Sequence, residues 1–288
     1  MESRKIGHYE VGVVGFGAAG LSVPVAGPIE ESLPVLLAAL DAGMTLIDTA
    51  ACYVPSHLQP GHNEAVIAKA LSEWGGDADS VLVATKGGLT RINDVDIATD
   101  FRADARPEAI RRDCDVSLRA LGVERIGLYQ LHAPDADVPL EETMGAFAEL
   151  QQAGKVDLVG LSNVSLEQLD SIRQIVDVAS VQNRFSPAHR EHLDVVKGCA
   201  ERGIAFLAYS PLGGLGQRAR ELPDVNPAFA EIAALRGVSP HQVALAWELT
   251  VSPTLIPIPG SRRMETALDS AAAAALRLTD NELALLGV

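Results

Sequence analysis

The sequence predicts an α/β fold, a single (β/α)8 TIM barrel that spans residues 1–288 as one domain. The first observation is an alternation of short β-branched or aliphatic runs with longer amphipathic stretches, which is typical of βαβ units around a buried parallel sheet. The second is that no Ser- or Pro-rich linker and no run of charge divides the chain. A doubly wound open sheet is the alternative, but eight evenly spaced strand-helix units favour closure into a barrel.

Eight apolar runs are the predicted barrel strands: Val11–Gly15, Thr45–Asp48, Val81–Thr85, Ile126–Leu131, Val156–Ser162, Ser180–Gln182, Ile204–Tyr209 and Thr254–Ile258. The amphipathic stretches between and after them are the predicted helices: Glu30–Ala42, Asn63–Ser72, Pro107–Leu121, Leu140–Gln152, Leu166–Val176, Ala188–Glu201, His241–Leu249, Met264–Ala275 and Asp280–Leu286.

Residues that favour helix ends support these limits. Pro107 stands where a first-turn proline fits, and Gly122 and Gly154 follow predicted helices, where glycine closes the last turn. Ser165 and Gln168 have the spacing of a capping box.

Composition excludes several partners and compartments. The formal net charge of -15 argues against nucleic acid, because phosphate binding needs a basic face. No apolar run approaches the roughly 20 residues of a membrane span. The cysteines Cys52, Cys114 and Cys199 are far apart and in no CxxC spacing, so we expect neither disulfides nor a metal site, and a reducing, cytoplasmic location.

The glycine-rich start of the chain matches two known patterns, and a loop is favoured over each of them. Gly15–Gly20 fits the GxGxxG pattern of a Rossmann nucleotide site, but that motif must open a helix, and the prolines and glycine that follow favour a loop. Arg4 and Lys5 before the apolar stretch Val11–Ala26 outline a secretory peptide. The four glycines of that stretch and Pro24 again suit a loop better.

Polar residues follow the predicted strands, at the barrel end where chemistry collects in this fold. The motifs are Asp48 with Tyr53, Thr85-Lys86-Gly87-Gly88, Leu128-Tyr129-Gln130-Leu131-His132, Gly160-Leu161-Ser162-Asn163, Val181-Gln182-Asn183, Tyr209-Ser210-Pro211-Leu212-Gly213 and Pro259-Gly260-Ser261-Arg262-Arg263. In this order the chain resembles the aldo-keto reductase family, with one motif at nearly every strand end. Each motif alone is weak, and the set is specific.

The resemblance implies NADP-dependent reduction of an aldehyde or ketone to an alcohol, or the reverse. Tyr53 is then the proton donor to the carbonyl oxygen, which gains charge as hydride arrives. A tyrosine has a pKa near 10, and the resemblance places Lys86 where its ammonium lowers that pKa. Asp48 pairs with Lys86, and His132 orients the carbonyl as a neutral imidazole.

The resemblance also implies a cofactor site for NADPH, which is preferred over NADH. Ser162, Asn163 and Gln182 suit the carboxamide of nicotinamide, and Tyr209 stacks on its ring. The backbone of Ser210, Pro211, Leu212 and Gly213 approaches the pyrophosphate. The segment Gly260, Ser261, Arg262 and Arg263 holds the 2′-phosphate, for which a guanidinium is suited. Asp269 and Ser270 stand where the family reads the adenine, although Ser270 is shorter than the family's asparagine.

Several alternatives stay open. Arg218 and Arg220 either close over the pyrophosphate or lie in a solvated loop, and Cys52 is either a redox switch or an inert buried thiol, the second being favoured. Lys86 as a Schiff-base nucleophile, as in an aldolase, is a rival that leaves Tyr53 without a role. A barrel that binds NADPH only to sense redox state is another.

Substrate identity is barely visible in the sequence. The partner is a small carbonyl compound, and the chain is expected to be a monomer or small homo-oligomer. The loop Leu89–Arg106 carries Arg91, Arg102 and Arg106, which suggests a polar or sugar-like substrate.

Overall fold

The computed structural model describes residues 1–23, 25–94, 100–214 and 226–287. In chain order the strands are β1 (Ser3–Ile6), β2 (Tyr9–Gly12), β3 (Phe16–Gly17), β4 (Leu46–Asp48), β5 (Leu82–Gly87), β6 (Leu89–Arg91), β7 (Phe101–Ala103), β8 (Ile126–Leu131), β9 (Val156–Ser162), β10 (Val178–Arg184), β11 (Ala205–Tyr209) and β12 (Leu255–Pro257). The α-helices are α1 (Ile29–Asp41), α2 (His62–Glu73), α3 (Pro107–Leu121), α4 (Leu140–Gln152), α5 (Leu166–Ile172), α6 (Leu193–Glu201), α7 (Ala228–Arg236), α8 (Pro240–Val251), α9 (Met264–Ala272) and α10 (Asp280–Leu286).

Eight strands pair in parallel in the order β3, β4, β5, β8, β9, β10, β11 and β12, and each of them is joined to the next by a connection that contains helix. This arrangement confirms the predicted (β/α)8 barrel. The seven barrel strands β4, β5, β8, β9, β10, β11 and β12 lie where the sequence predicted strands, with ends shifted by a few residues. None of the helices in the described part of the chain is long and apolar enough to cross a membrane.

The barrel closes where the first and last strands meet, and glycines make this approach possible. Gly15 N donates to Pro257 O at 2.9 Å and Gly17 N to Pro259 O at 3.0 Å, and Gly17 forms a parallel bridge with Gly260. A Cβ atom on Gly17 would lie 2.7 Å from the carbonyl oxygen of Ile258. Gly15 and Gly17 of the GxGxxG pattern therefore belong to the barrel seam. Gly20 lies in a short 3-10 helix, Ala19–Leu21, and the first α-helix begins only at Ile29.

An N-terminal hairpin replaces the predicted first strand, so the prediction of a strand over Val11–Gly15 is wrong. Strands β1 and β2 pair antiparallel, and the barrel strand begins only at Phe16. The apolar side chains of Ile6 and Val11 are buried with the inward-facing leucines Leu46 and Leu82, which begin their strands. The hairpin thus covers the N-terminal end of the barrel, and its apolar residues have the pattern of a barrel strand because they face the same interior.

A second hairpin, β6 with β7, was not predicted and stands beyond the C-terminal end of β5. Helix α7 was also not predicted; it begins at Ala228, whose N–H donates to Asn226 Oδ1 at 2.9 Å. The predicted helix from Ala188 begins only at Leu193, because residues 186–189 form a turn closed by two backbone hydrogen bonds.

Three helices agree with prediction at both ends: Pro107–Leu121, Leu140–Gln152 and Asp280–Leu286. The capping box of Ser165 with Gln168 is present. Gly122 adopts the left-handed conformation, with φ of 69°, that ends α3.

We expect Gly17→Ala to lower the free energy of unfolding by about 1–3 kcal/mol, the usual cost of forcing a methyl group into a tightly packed site. The added Cβ meets backbone that cannot rotate away. Urea denaturation measures the change. The matched control is Gly145→Ala in α4, where a Cβ meets nothing within 4 Å, and alanine should stabilise the helix by about 0.5–1 kcal/mol. Equal effects in the two variants would contradict this account of the seam.

Candidate active site

A polar layer lies at the C-terminal end of the barrel, directly above its apolar interior. Side chains alternate along each strand, so the residues that follow the inward-facing Leu46, Leu82 and Leu128 at even spacing also face inward. A cavity of about 500 Å³ opens at this end. Its lining includes Gly17, Ala19, Gly20, Asp48, Tyr53, Leu89, Phe101, His132, Ser162, Asn163, Gln182, Arg184, Tyr209, Ser210, Pro211, Leu212, Gly214, Ile258, Pro259 and Gly260.

Lys86 is 1% exposed, and its ammonium contacts two residues that line the cavity, Asp48 and Tyr53. Its nitrogen donates to Asp48 Oδ1 at 2.6 Å, to the carbonyl oxygen of Thr49 at 2.9 Å and to Tyr53 Oη at 3.2 Å. An ammonium has three N–H donors, so all of them are engaged. This arrangement does not favour the Schiff-base alternative, which requires a free amine facing the substrate.

The Asp48 carboxylate is held on its other side by amides. Gln182 Nε2 donates to Asp48 Oδ2 at 2.7 Å, and Gln130 Nε2 lies 3.4 Å from the same oxygen. Gln130 in turn accepts from Ser180 Oγ at 3.2 Å through Oε1. Gln130 and Ser180 were not predicted as site residues, although a glutamine within the apolar run Ile126–Leu131 was the sequence signal that could have identified the first.

Tyr53 lines the cavity, and its hydroxyl accepts a hydrogen bond from Lys86. Burial, followed by the negative charge of Asp48, raises the pKa of Tyr53 well above 10. This direction is opposite to the lowering expected from Lys86, and its main cause is the burial of the phenol, which disfavours the charged phenolate. Tyr53 keeps its proton at neutral pH. Since its oxygen accepts from Lys86, that proton is free to point into the cavity.

The His132 ring stands beside Tyr53, with Nε2 at 3.5 Å from Tyr53 Oη. Burial and the Lys86 charge lower the pKa of His132 well below 6.5, so the imidazole is neutral at pH 7. Its Nδ1 lies 3.6 Å from Cys52 Sγ. Burial raises the pKa of Cys52 to about 12, which favours the inert thiol over a redox switch.

Next to this centre, the predicted nicotinamide contacts form one hydrogen-bonded group. Tyr209 Oη donates to Asn163 Oδ1 at 2.8 Å, and Asn163 Nδ2 donates to the carbonyl oxygen of His132 at 2.9 Å. Ser162 Oγ donates to the carbonyl oxygen of Gln182 at 2.7 Å. Asn163 has a φ of 59°, a left-handed conformation that asparagine tolerates better than most residues.

The turn after β11 supplies backbone to the same cavity. Ser210 has a φ of 52°, and Gly213 and Gly214 have φ of 97° and 130°. The N–H of Gly213 donates to the carbonyl oxygen of Ser210 at 2.9 Å, which closes the turn. Arg184 also lines the cavity and donates to the carbonyl oxygen of Gly213 at 3.2 Å. Arg184 was not predicted; the signal was a cation at a strand end of an acidic chain.

The segment 260–263 extends from the cavity to the start of α9. Gly260 lines the cavity, Ser261 Oγ accepts from Arg263 N at 3.1 Å, and Arg262 and Arg263 are exposed before the first turn of α9. Two positive side chains at a helix N-terminus make a suitable anion site.

The remaining predicted contacts fall outside the cavity or outside the described residues. Asp269 accepts from Ser239 Oγ and from Gln242 Nε2, both at 2.6 Å, so its carboxylate holds the first turn of α8. Ser270 is buried. The structure therefore brings neither Asp269 nor Ser270 to the cavity, and their contact with adenine stays a prediction. Arg218 and Arg220 lie outside the described residues.

A (β/α)8 barrel with a polar centre at the C-terminal ends of its strands is the architecture of an enzyme whose active site lies at that end of the barrel. The family model described as "Aldo/keto reductase family" matches residues 13–287. The chain belongs to the aldo-keto reductase family and is an oxidoreductase of that class.

Curated relatives match over nearly the whole chain. An aldo-keto reductase of Strobilurus tenacellus is 32% identical over 99% of this chain and 90% of its own length. Pyridoxine 4-dehydrogenase of Escherichia coli K12 is also 32% identical, over 98% of this chain and 96% of its own length.

Solved structures match the fold. The glycerol dehydrogenase of Gluconobacter oxydans has a TM-score of 0.84 at 28% identity and covers 99% of this chain and 94% of its own. An aldo-keto reductase of Klebsiella pneumoniae, solved in complex with NADPH, has a TM-score of 0.81 at 28% identity, with coverage of 99% and 93%.

We expect Lys86→Met to cost about 3–5 kcal/mol of unfolding free energy, because it leaves the Asp48 carboxylate buried without its cation. The double variant Asp48→Asn/Lys86→Met should recover most of that loss, since it removes both charges. Denaturant unfolding at pH 7 measures each. Lys69→Met is the control, because the Lys69–Glu73 pair is exposed and such pairs contribute about 0–1 kcal/mol. A Lys86→Met loss no larger than the control would rule out the buried pair as a stabilising constraint.

Proposed function

We propose that this chain reduces an aldehyde or ketone to an alcohol with NADPH, or runs the reverse reaction, with Tyr53 as proton donor. The observation that carries the proposal is the contact of Tyr53 Oη with both Lys86 Nζ, at 3.2 Å, and His132 Nε2, at 3.5 Å, at the wall of the cavity. A carbonyl oxygen that reaches these groups meets a proton donor and a neutral imidazole together.

The described residues fit a nicotinamide dinucleotide. The cavity runs from Tyr53 past Tyr209 to the backbone of Ser210–Leu212 and Gly260, and its far end leads to the exposed guanidiniums of Arg262 and Arg263. In an acidic chain, these arginines and Arg184 concentrate positive charge where a pyrophosphate and a 2′-phosphate need it. NADPH, when bound, supplies hydride to the carbonyl carbon.

Contacts within the site divide the cofactor interactions among its residues. Gln182 uses Nε2 on Asp48, which leaves Oε1 to accept from a carboxamide NH2. Ser162 and Asn163 are fixed by bonds to backbone carbonyls and set the floor beside that carboxamide. The ring of Tyr209, tied through its hydroxyl to Asn163, provides the stacking surface. Arg184 is an additional candidate for the pyrophosphate.

Proton transfer follows from the hydrogen bonds of Lys86. As the carbonyl oxygen becomes an alkoxide, the O–H bond of Tyr53 breaks and its proton moves to that oxygen. The phenolate that forms lies 3.2 Å from the Lys86 ammonium, which stabilises it. Asp48 keeps the ammonium in place, and a proton from solvent restores the phenol. His132 donates to the same carbonyl oxygen in the tautomer that carries its one proton on Nε2, with Nδ1 facing the Cys52 thiol at 3.6 Å.

Names of relatives agree with this chemistry. Two relatives are named as dehydrogenases of alcohols, pyridoxine and glycerol. An aldo-keto reductase of Schizosaccharomyces pombe that is 29% identical carries NADP(+) in its name. A small carbonyl compound is the proposed partner. The oligomeric state and the cytoplasmic location stay predictions.

Tyr53→Phe should lower the turnover of carbonyl reduction by at least about a hundredfold, the lower range for a lost general acid. NADPH binding, followed by fluorescence, should be unchanged. Since burial raises the pKa of Tyr53, wild-type turnover should not fall between pH 6 and 9 through loss of this proton. Tyr9→Phe is the control, because that hydroxyl bonds to Asp157 away from the cavity. Turnover that survives in Tyr53→Phe would end the assignment.

Arg262→Ala should raise the Kd for NADPH by about tenfold or more and leave the Kd for NADH nearly unchanged, because a charge-assisted hydrogen bond to the 2′-phosphate is lost. Fluorescence titration with the two cofactors measures the ratio. Arg173→Ala removes an exposed arginine elsewhere and controls for net charge. Equal losses for the two cofactors would move the phosphate contact to another residue.

A further inference from the structure

The hairpin formed by β6 and β7 supplies a wall of the cavity beside the proposed proton donor. Leu89 and Phe101, which lie at opposite ends of the two short strands, both line the cavity. The Phe101 ring centroid is 6.5 Å from that of Tyr53 and 6.3 Å from that of His132. A group attached to a carbonyl held between Tyr53 and His132 can therefore pack against Phe101.

The Phe101 ring is fixed from behind by Arg91. The guanidinium carbon of Arg91 lies 4.8 Å from the ring centroid, and the Arg91 side chain is only 2% exposed. Its charge is balanced by Asp94, whose Oδ1 accepts from Nε at 3.2 Å, and by Asp100 at 3.6 Å. Arg91 therefore serves the wall and does not line the cavity.

A second contact ties the hairpin to the loop that carries Tyr53. The carboxylate of Asp94 accepts from Ser56 N at 2.9 and 3.0 Å and from Ser56 Oγ at 2.7 Å. Ser56 follows Tyr53 by three residues. These bonds lower the pKa of Asp94, which keeps the carboxylate charged at neutral pH. Asp94 thus connects the wall to the proton donor's own loop.

The other arginines of this loop do not reach the cavity. Arg102 is exposed, and Arg106 pairs with Asp104 at 2.7 Å and Glu108 at 3.3 Å. The suggestion of a polar or sugar-like substrate rested on Arg91, Arg102 and Arg106, and these three are not among the residues that line the cavity; residues 95–99 of the same loop lie outside the described residues. The side chains on the described wall near the carbonyl position are Leu89 and Phe101, with Leu212 and Ile258 also lining the cavity.

We propose that Phe101 is a specificity-determining residue and that the preferred substrate is a carbonyl attached to a flat, uncharged aromatic ring. This inference rests on the proposed carbonyl reduction. A fixed aromatic wall favours a ring that packs against it, because offset and edge-to-face ring pairs add to the burial of apolar surface. A hydroxylated aldehyde has to give up hydration against the same wall, where the described side chains Leu89 and Phe101 offer no hydrogen bond. Asp94 is a positioning residue that acts through Phe101.

The test compares kcat/KM for benzaldehyde, propanal and glyceraldehyde with NADPH. For the wild-type protein we expect benzaldehyde to exceed glyceraldehyde by about tenfold or more. Phe101→Ala should lower kcat/KM for benzaldehyde by about tenfold, mainly through a higher KM, since a ring contact is lost. Propanal, which is too small to cover the wall, should change by less than about threefold. Arg102→Ala, an exposed neighbour on the same strand, should leave all three values unchanged.

The positioning role of Asp94 is tested with Asp94→Ala and the double variant Asp94→Ala/Phe101→Ala. If Asp94 acts by positioning Phe101, the single variant reproduces part of the benzaldehyde loss, and the double variant is no worse than Phe101→Ala. Additive losses would remove Asp94 from this role. Circular dichroism and the retained propanal activity separate these effects from misfolding.

Two failures are distinguishable. If the wild-type protein reduces all three aldehydes without preferring benzaldehyde, or if Phe101→Ala lowers activity on all three equally, the inference on specificity is wrong and carbonyl reduction stands. If the wild-type protein reduces none of them although NADPH binds, the proposed function itself fails.

Discussion

One buried ammonium determines the arrangement of this site. Lys86 binds a carboxylate, a backbone carbonyl and a phenol with its three N–H groups, so moving any one partner changes the other two. The partners come from the end of β4 and the loop after it, while Lys86 lies near the end of β5. The register that pairs Asp48 with Ala84 places Lys86 two residues further on, on the same inward face.

The first turn of α2 holds this strand end from the outside. Asn63 is fully buried; its Oδ1 accepts from Thr49 Oγ1 at 2.6 Å, and its Nδ2 donates to the carbonyl oxygen of Ala18 at 2.9 Å. Glu64, which follows Asn63 in α2, accepts a hydrogen bond from Thr85 Oγ1 at 2.5 Å. Consecutive side chains of one helix therefore connect the ends of β4 and β5 to the loop after β3. The Lys86 contacts depend on this frame as well as on the strands.

The barrel and the residues at its strand ends were predictable because their signals are local and repeated. Strands such as β8 and β9 are apolar runs bounded by turns, and Asp48, Lys86 and His132 follow such runs directly. Elements that depend on contacts distant in sequence were not predictable. Val11 has the pattern of a barrel strand although it belongs to a hairpin, since both environments bury the same face.

The acidity of Tyr53 is where local chemical reasoning was incomplete. A lysine 3.2 Å from a phenol suggests a lowered pKa, yet burial and Asp48 raise it. A phenol that holds its proton firmly is still an adequate donor to an alkoxide, which is a far stronger base. It also avoids placing a buried phenolate beside Asp48 before substrate arrives. The benefit of the ammonium then falls on the transition state, where charge on the Tyr53 oxygen develops, and much less on the resting enzyme.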